Sequence, residues 1–406
     1  MRKTQRLLLA SAVALTSSTG LAGLAVAEEI NFILCGDAVD AKHQEYIDEW
    51  NAANPDDQVV PEVVGWGQCQ DKVTTLAVAG TPVEIAYVGS RTLKQFALND
   101  LIVPVPMTEE ERSAYYPFVP ETVTFDDTQW GIPVAFTTKA LIWNKDLFEA
   151  AGLDPETPPK TWAEQQEFAQ AISDNTDADG FGLVAKTFDG TVHWFLHWVY
   201  TNGGSMIDAD GNITLNSPQN LAALTALKDI VPYSEEGPTA YEQNEVRAMF
   251  LDGTIGMMHI GAGIVPLITE TDINWGLATL PLGPEAQGPG TLLITDSLAV
   301  FKGTGNEDKA IEFGKFFTAP DRQFAYETQF GLTPLRPIPQ VDELIAANDY
   351  WKVFIDSIEF GGPEPLFTDY VGFQNTIIEM VQSVVTGEAE PQAALETAAA
   401  ELEQFK

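Results

Sequence analysis

Ile30-Asn31-Phe32-Ile33-Leu34 is a short apolar run that ends on Cys35-Gly36-Asp37, and an amphipathic stretch from Val39 to Asn54 follows it. A strand-length apolar run closed by glycine and followed by residues of helical period predicts strand, then helix. The pattern repeats along the chain. Gln58 to Val64 predicts a second strand, Gln68 to Ala79 a second helix and Val83 to Val88 a third strand. Parallel neighbours need a crossover long enough to hold a helix, so this alternation predicts an α/β fold with a mainly parallel sheet flanked by helices. Later helices carry start signals. Thr161-Trp162-Ala163-Glu164 is a capping box behind Pro158-Pro159, and Ser217-Pro218 supplies an N-cap with proline at the first helical position. Asn306 to Thr318, Gln374 to Thr386 and Pro391 to Gln404 also have helical period.

Upstream of the first strand, Arg2, Lys3 and Arg6 precede an apolar run from Leu7 to Leu15, and a small-residue tract ends in Ala25-Val26-Ala27. That order is a secretory signal peptide over residues 1–27, with cleavage expected after Ala27. A retained membrane anchor needs about 20 uninterrupted apolar residues, and Thr16 to Thr19 break this run. Glu28, not a cysteine, stands at the new N-terminus left by the expected cleavage, so a soluble periplasmic product is expected rather than a lipoprotein. Cleavage removes three positive charges and no carboxylate, which takes the formal net charge from -38 to -41. A field of that sign repels nucleic acid. With 45% hydrophobic residues, the chain is too apolar for a disordered acidic tail.

The remaining length exceeds what one core usually serves, so two domains are expected. No long Gly/Ser- or Pro-rich linker separates them, which suggests lobes joined by short crossovers. The two cysteines, Cys35 and Cys69, form an even pair in an oxidising compartment and are expected to be bridged, with two buried thiols as the alternative.

Several motifs add a resemblance. Trp130-Gly131-Ile132-Pro133 is followed by Trp143-Asn144-Lys145-Asp146-Leu147-Phe148, then by Ala150-Ala151-Gly152-Leu153 and Pro158-Pro159-Lys160-Thr161-Trp162. Thr81 to Ala86 with Phe96-Ala97, Ala248-Met249-Phe250 with Gly253, and Asn306 to Ala310 complete an ordered set across the chain. This set resembles the family 1 extracellular solute-binding proteins of ABC importers. The resemblance implies a two-lobed periplasmic binding fold with three hinge crossovers, expected near residues 135–139, 291–297 and 332–342. One lobe would hold residues 28–136 with 296–336, the other 137–295 with 337–406. It also implies a carbohydrate-type solute clasped between the lobes, permease subunits of an importer as partners, and a monomer without cofactor or metal.

Ligands of open α/β sheets sit at the carboxyl ends of strands. Asp37, Trp66, Tyr87, Ser90, Arg91 and Thr137 occupy such loops. Gly36-Asp37 matches a sugar-contacting Gly-Asp of the family's maltose-type members, with helix capping as the alternative role for Asp37. Those members carry an Asp-Arg pair where this chain has Ser90-Arg91, and a carboxylate where it has Thr137. They commonly place a tryptophan where this chain has Gly263, just past Gly261. Sugar sites pair aromatic platforms with planar polar groups. Trp66 beside Gly65, His193 and Trp194 in the aromatic segment 193–200, and Tyr370 are therefore candidates, with Asp296 and Arg336 near the second and third crossovers.

Catalysis has little support. No G-x-S-x-G, H-E-x-x-H or Walker loop occurs, and there are four histidines. Asn175 to Gly180 resembles the start of a calcium loop, but Lys186 stands where the closing glutamate belongs. A sugar-delivering binding protein is the leading expectation. An osmolyte or amine binder, a sensory binding protein and a glycan-processing enzyme are the alternatives.

Overall fold

The computed structural model describes residues 28–36, 38–208 and 210–405. The expected signal peptide and Asp37 lie outside them. The first sheet begins with β1 (Glu28–Cys35), which pairs in parallel with β2 (Asp57–Val64) on one side and β3 (Ile85–Gly89) on the other. A small hairpin follows, formed by β4 (Thr124–Phe125) and β5 (Thr128–Gln129). β6 (Ile132–Thr137) returns to the first sheet, and β7 (Ala140–Asn144) opens the second, between β8 (Met257–Ile260) and β9 (Trp275–Ala278). β10 (Thr291–Val300) then runs antiparallel between β3 and β6, and β11 (Gly361–Pro363) pairs with its first residues.

The side-chain period of β1 explains the layering of the first lobe. Ile30, Phe32 and Leu34 face the helix Ala41–Ala53 and the helix Glu307–Phe317, packing on Tyr46, Ile47, Trp50, Phe313 and Phe317. Ile33 faces the other way, toward Val73 and Ala77 of the helix Trp66–Val78 and toward Phe96 and Phe301. Successive residues of a strand point to opposite faces, so a strand apolar at both parities must be covered on both sides. Cys35 and Cys69 are joined in a disulfide that ties the end of β1 to the helix Trp66–Val78.

The second lobe differs from the mainly parallel sheet expected of it. Both neighbours of β7 run antiparallel to it. β7 starts at the crossover and leaves it, while β8 and β9 run back and end level with Ala140 and Leu141. Their carboxyl ends therefore point at the gap between the lobes. Around this sheet pack the helices Trp162–Asn175, Asp189–Tyr200, Pro218–Ile230, Tyr370–Val385 and Pro391–Leu402. Thr161 and Glu164 close the capping box at the start of the first of these helices, and Ser217 caps the third, each such cap contributing about 1 kcal/mol.

The chain crosses from the first sheet to the second after β6 and returns before β10, and a third passage after the helix Pro320–Phe330 leads to Trp351 and Phe354, which pack on the second sheet; the three are stitched together. The backbone N–H of Lys139 donates to the Thr291 hydroxyl at 3.0 Å, and Thr138 N–H donates to the Thr333 hydroxyl at 3.3 Å. A small separate core of Tyr115, Val119, Phe136, Leu293 and Leu335 draws one residue from each passage.

Candidate functional site

β10 is paired with β3 so that Asp296 sits opposite Gly89, at the carboxyl end of β3. That register brings the second passage beside Ser90 and Arg91. Tyr87 donates its hydroxyl to Asp296 Oδ2 at 3.0 Å, and the Ser90 and Ser297 hydroxyls bond at 2.7 Å. Arg91 reaches further. Its guanidinium bonds Asp189, lies 3.2 Å from Glu364 Oε1 and 3.5 Å from Asp296 Oδ1, and sits over the Tyr370 ring. Asp189 begins the helix Asp189–Tyr200, and His193 lies one turn later on the same face. His193 Nε2 is 2.6 Å from Glu364 Oε1, and Tyr370 donates to Asp189 Oδ1 at 2.6 Å. One guanidinium from the first lobe is thus held by carboxylates from β10, from the second lobe and from the segment after β11.

Burial alone would raise the Asp189 carboxyl, but Arg91 and His193 beside it hold it below the usual range. Burial pushes the Asp296 carboxyl up to about 6, because Arg91 offsets only part of the cost and Glu364 repels it. Burial likewise brings the Lys139 ammonium down to about 8, with Glu364 and Asp296 working in the other direction. Charges taken out of water persist only where partners compensate them, and here three carboxylates face Arg91, whose Nε is left without a partner, with the Lys139 ammonium near two of them.

The candidates separate into those that meet here and those that do not. Tyr87, Arg91, His193, Asp296 and Tyr370 meet directly, and Trp66 packs edge-on against Tyr87 at 5.4 Å. Trp66 is the first residue of its helix rather than part of a bent loop. Thr137, the last residue of β6 in the first sheet, bonds the Thr138 carbonyl and lies against Gly261, just past the end of β8. Ser90 is buried and spent on Ser297. Trp194 is placed elsewhere: it is 1% exposed and packs with Ile142, Val184 and Phe250. A residue one position past His193 is rotated by about 100° on the helix, which turns it into the core. Arg336 is also placed elsewhere. It stacks on Tyr115 and bonds Gln323, the Tyr115 hydroxyl and the Thr318 carbonyl. The sequence reading missed Asp189 and Glu364. Asp189-Gly190 just before the aromatic segment, and Glu364 between Pro363 and Pro365, were the available signals. Among the described residues no cluster of three or more His, Cys, Asp or Glu side chains could hold a metal ion.

Two faces of β10 border the gap. Leu293 and Thr295 line a cavity of about 580 Å3 together with Phe118, Tyr200 and Pro363. Asp296 alternates with them and points to the opposite face, where Tyr87, Trp66 and the loop after β8 lie.

Two lobes linked by three stitched passages, with buried charges clasped between them, define a hinged capture protein. Residues 38–324 match the family described as bacterial extracellular solute-binding protein, and the chain belongs to that family. A binding protein of Brucella abortus (strain 2308) is 28% identical over 89% of each chain. The sn-glycerol-3-phosphate-binding periplasmic protein UgpB of the same organism is 29% identical over 52% of this chain and 50% of its own. Among solved structures, maltose-bound T. maritima MalE3 superimposes with a TM-score of 0.82 at 22% identity, covering 93% of this chain and 100% of that one. An ABC transporter solute-binding protein from Thermotoga lettingae, bound with alpha-D-tagatose, has the same score and identity over 93% and 99%. These likenesses establish the two-lobed α/β fold.

Proposed function

We propose that the chain is exported through residues 1–27, works in the periplasm as a monomer, and captures a sugar or polyol between lobes of 28–136 with 296–336 and 137–295 with 337–406. It hands the solute to the permease subunits of an ABC importer and performs no turnover. The observation that carries this reading is the Arg91 network, because it joins both lobes through groups that a bound solute would meet. Hinge closure is a shift between open and closed populations, driven only by contacts a ligand makes better in one of them. Trp66, Tyr87, Thr137, His193, Gly261 and Asp296 supply the acceptors, donors and ring for such contacts. The presence of carbohydrate-bound proteins among the structural neighbours supports this solute class. A thermal-shift panel of neutral mono- and disaccharides, ribitol and amines tests it. A saturating ligand at 100 times Kd adds about 2.7 kcal/mol to stability, so a sugar or polyol should raise Tm clearly. A rise with amines alone would overturn the assignment.

A further inference from the structure

The disulfide Cys35–Cys69 lies at the first-lobe rim of the gap, where segments of three strands meet. Cys35 is the last residue of β1, and its Sγ lies 3.2 Å from the carbonyl oxygen of Tyr87 in β3. The next residue, Gly36, donates its N–H to the carbonyl of Val64, the last residue of β2, at 2.9 Å. Cys69 lies in the first turn of the helix Trp66–Val78. That helix starts on Gly65 with no side-chain cap, whereas Asp40, Thr161 and Ser217 cap the helices they precede. A helix start without a cap leaves its first N–H groups to water and frays readily. Further along, Val73 and Ala77 hold the helix in the core. At its start the clamp is covalent, and it fixes the turn that carries Trp66 against Tyr87.

The two sulfurs differ in access. Cys69 is fully buried, while Cys35 is partly exposed beside Tyr87. An attacking thiolate can therefore reach only Cys35 Sγ. A dithiol reductant attacking there forms a mixed disulfide with Cys35 and expels Cys69 as a thiolate, which takes up a proton. The reductant's second thiol then displaces Cys35, so the protein ends with two thiols and the reductant with a disulfide.

We infer that Cys35–Cys69 is a thiol-exchange site that sets solute affinity. The closed bridge holds the end of β1, Tyr87 and the Trp66 turn in fixed positions, and reduction by a dithiol releases this rim. The inference rests on the capture role proposed above. Trp66, Tyr87 and, through the Tyr87 hydroxyl, Asp296 are the groups that lose their fixed spacing. Ordering a loosened rim at each binding event subtracts from affinity. By reciprocity, a solute that prefers the bridged form must favour the bridge by the same factor.

The test compares the full mature chain with its bridge closed and open. Dithiothreitol at mildly alkaline pH, then iodoacetamide and mass spectrometry, should find both cysteines alkylated in protein whose circular dichroism is still that of the folded state. Calorimetric titration with a panel of neutral mono- and disaccharides and ribitol, below the Tm of either form, follows. The tightest binder should weaken roughly tenfold on reduction and recover on reoxidation with oxidised glutathione. In a glutathione redox buffer, a saturating amount of that compound should shift the exchange equilibrium toward the bridge by the same factor. Replacing both cysteines, Cys35→Ser with Cys69→Ser, should reproduce the reduced affinity; should that variant fail to fold, reduction of the wild type in place still decides. A lower Tm with Kd within twofold of the bridged form would overturn the inference, make the bridge a clamp for stability alone and leave a capture protein standing. So would a bridge that opens only when the chain unfolds. Failure of every panel member to bind the bridged form would sink the capture role and this inference together.

Discussion

Arg91 and Arg336 are both buried arginines beside a passage between the lobes, and they are held in opposite ways. Arg336 bonds neutral acceptors, Gln323, the Tyr115 hydroxyl and the Thr318 carbonyl, and stacks on the Tyr115 ring, while the nearby Glu327 carboxyl is pushed well up by burial. Gln323 in turn donates to the carbonyls of Pro133 and Val134 at 3.1 Å each. These groups belong to the first lobe and the passages, and no rotation of the lobes separates them. Arg91 is held by carboxylates from β10, from the second lobe and from the segment after β11, so opening the lobes would part them. Neutral partners inside one body build a fixed joint. Charged partners from several bodies build a contact that water can replace when the bodies separate, because each carboxylate regains its hydration.

The largest effect should come from breaking the fixed joint. Arg336→Met leaves the Tyr115 hydroxyl, the Gln323 amide and the Thr318 carbonyl short of a partner in a place that cannot open. Each buried polar group left without a partner costs about 1–3 kcal/mol, so the three together should cost several kcal/mol. Chemical denaturation should show that loss, while solute affinity measured well below the new Tm stays within about twofold. A stability change under about 1 kcal/mol would show that this arginine is dispensable to the hinge.

Arg91→Met should cost less stability, about 1–3 kcal/mol, because Asp189, Asp296 and Glu364 can escape one another by lobe opening. Its signature is shape. Small-angle scattering of the ligand-free variant should give a larger radius of gyration than wild type. An unchanged radius together with a loss as large as that of Arg336→Met would erase the distinction between the two arginines.

The order of these effects also shows what the sequence made legible. Strands β1 to β3, the Thr161 capping box and the Ser217 cap are local patterns, and local patterns survive folding unchanged. Arg91 was reachable because it follows a strand end and because its neighbours match a family motif. Asp189 and Glu364 were not, since 59 acidic residues give no reason to choose two of them. His193 and Trp194 were named together because adjacent helical residues diverge by an angle that no sequence position reveals until the helix is docked. Arg336 lies near the third passage that the resemblance implies, but which side of it the side chain faces depends on Tyr115, far away in sequence.

Acid titration sharpens the comparison at intermediate size. Asp296 is raised to about 6 in the folded protein, above the ordinary aspartate value of about 3.9. The folded state therefore holds this proton more tightly than the unfolded chain. The contribution is fully present below about pH 4 and is lost as pH rises through about 6. Asp296→Asn should remove that part of the slope from a plot of Tm against pH between 4 and 7. In the same window solute binding by the wild type should strengthen with rising pH, as the carboxylate becomes free to accept hydroxyls. A pH profile identical in Asp296→Asn and wild type would mean that the carboxyl does not titrate there.

The smallest expected effect probes the openable side at its rim. Gly263 has one atom within reach of an added Cβ, the Phe330 carbonyl oxygen at 3.3 Å, and its φ is not in the left-handed region. Gly263→Ala therefore carries no backbone strain and touches nothing until the lobes meet. In the closed state the methyl group would press on the end of the helix Pro320–Phe330, and the contact must yield by a few tenths of an ångström. The unliganded Tm should stay within about 1 °C of wild type, and Kd should rise roughly two- to fourfold, a cost below about 1 kcal/mol. The split between those two numbers is the informative part. A fall in unliganded stability with no change in Kd would place this contact inside a permanently closed body. Gly263 would then belong with Arg336 in the fixed joint and not with Arg91 in the part that opens.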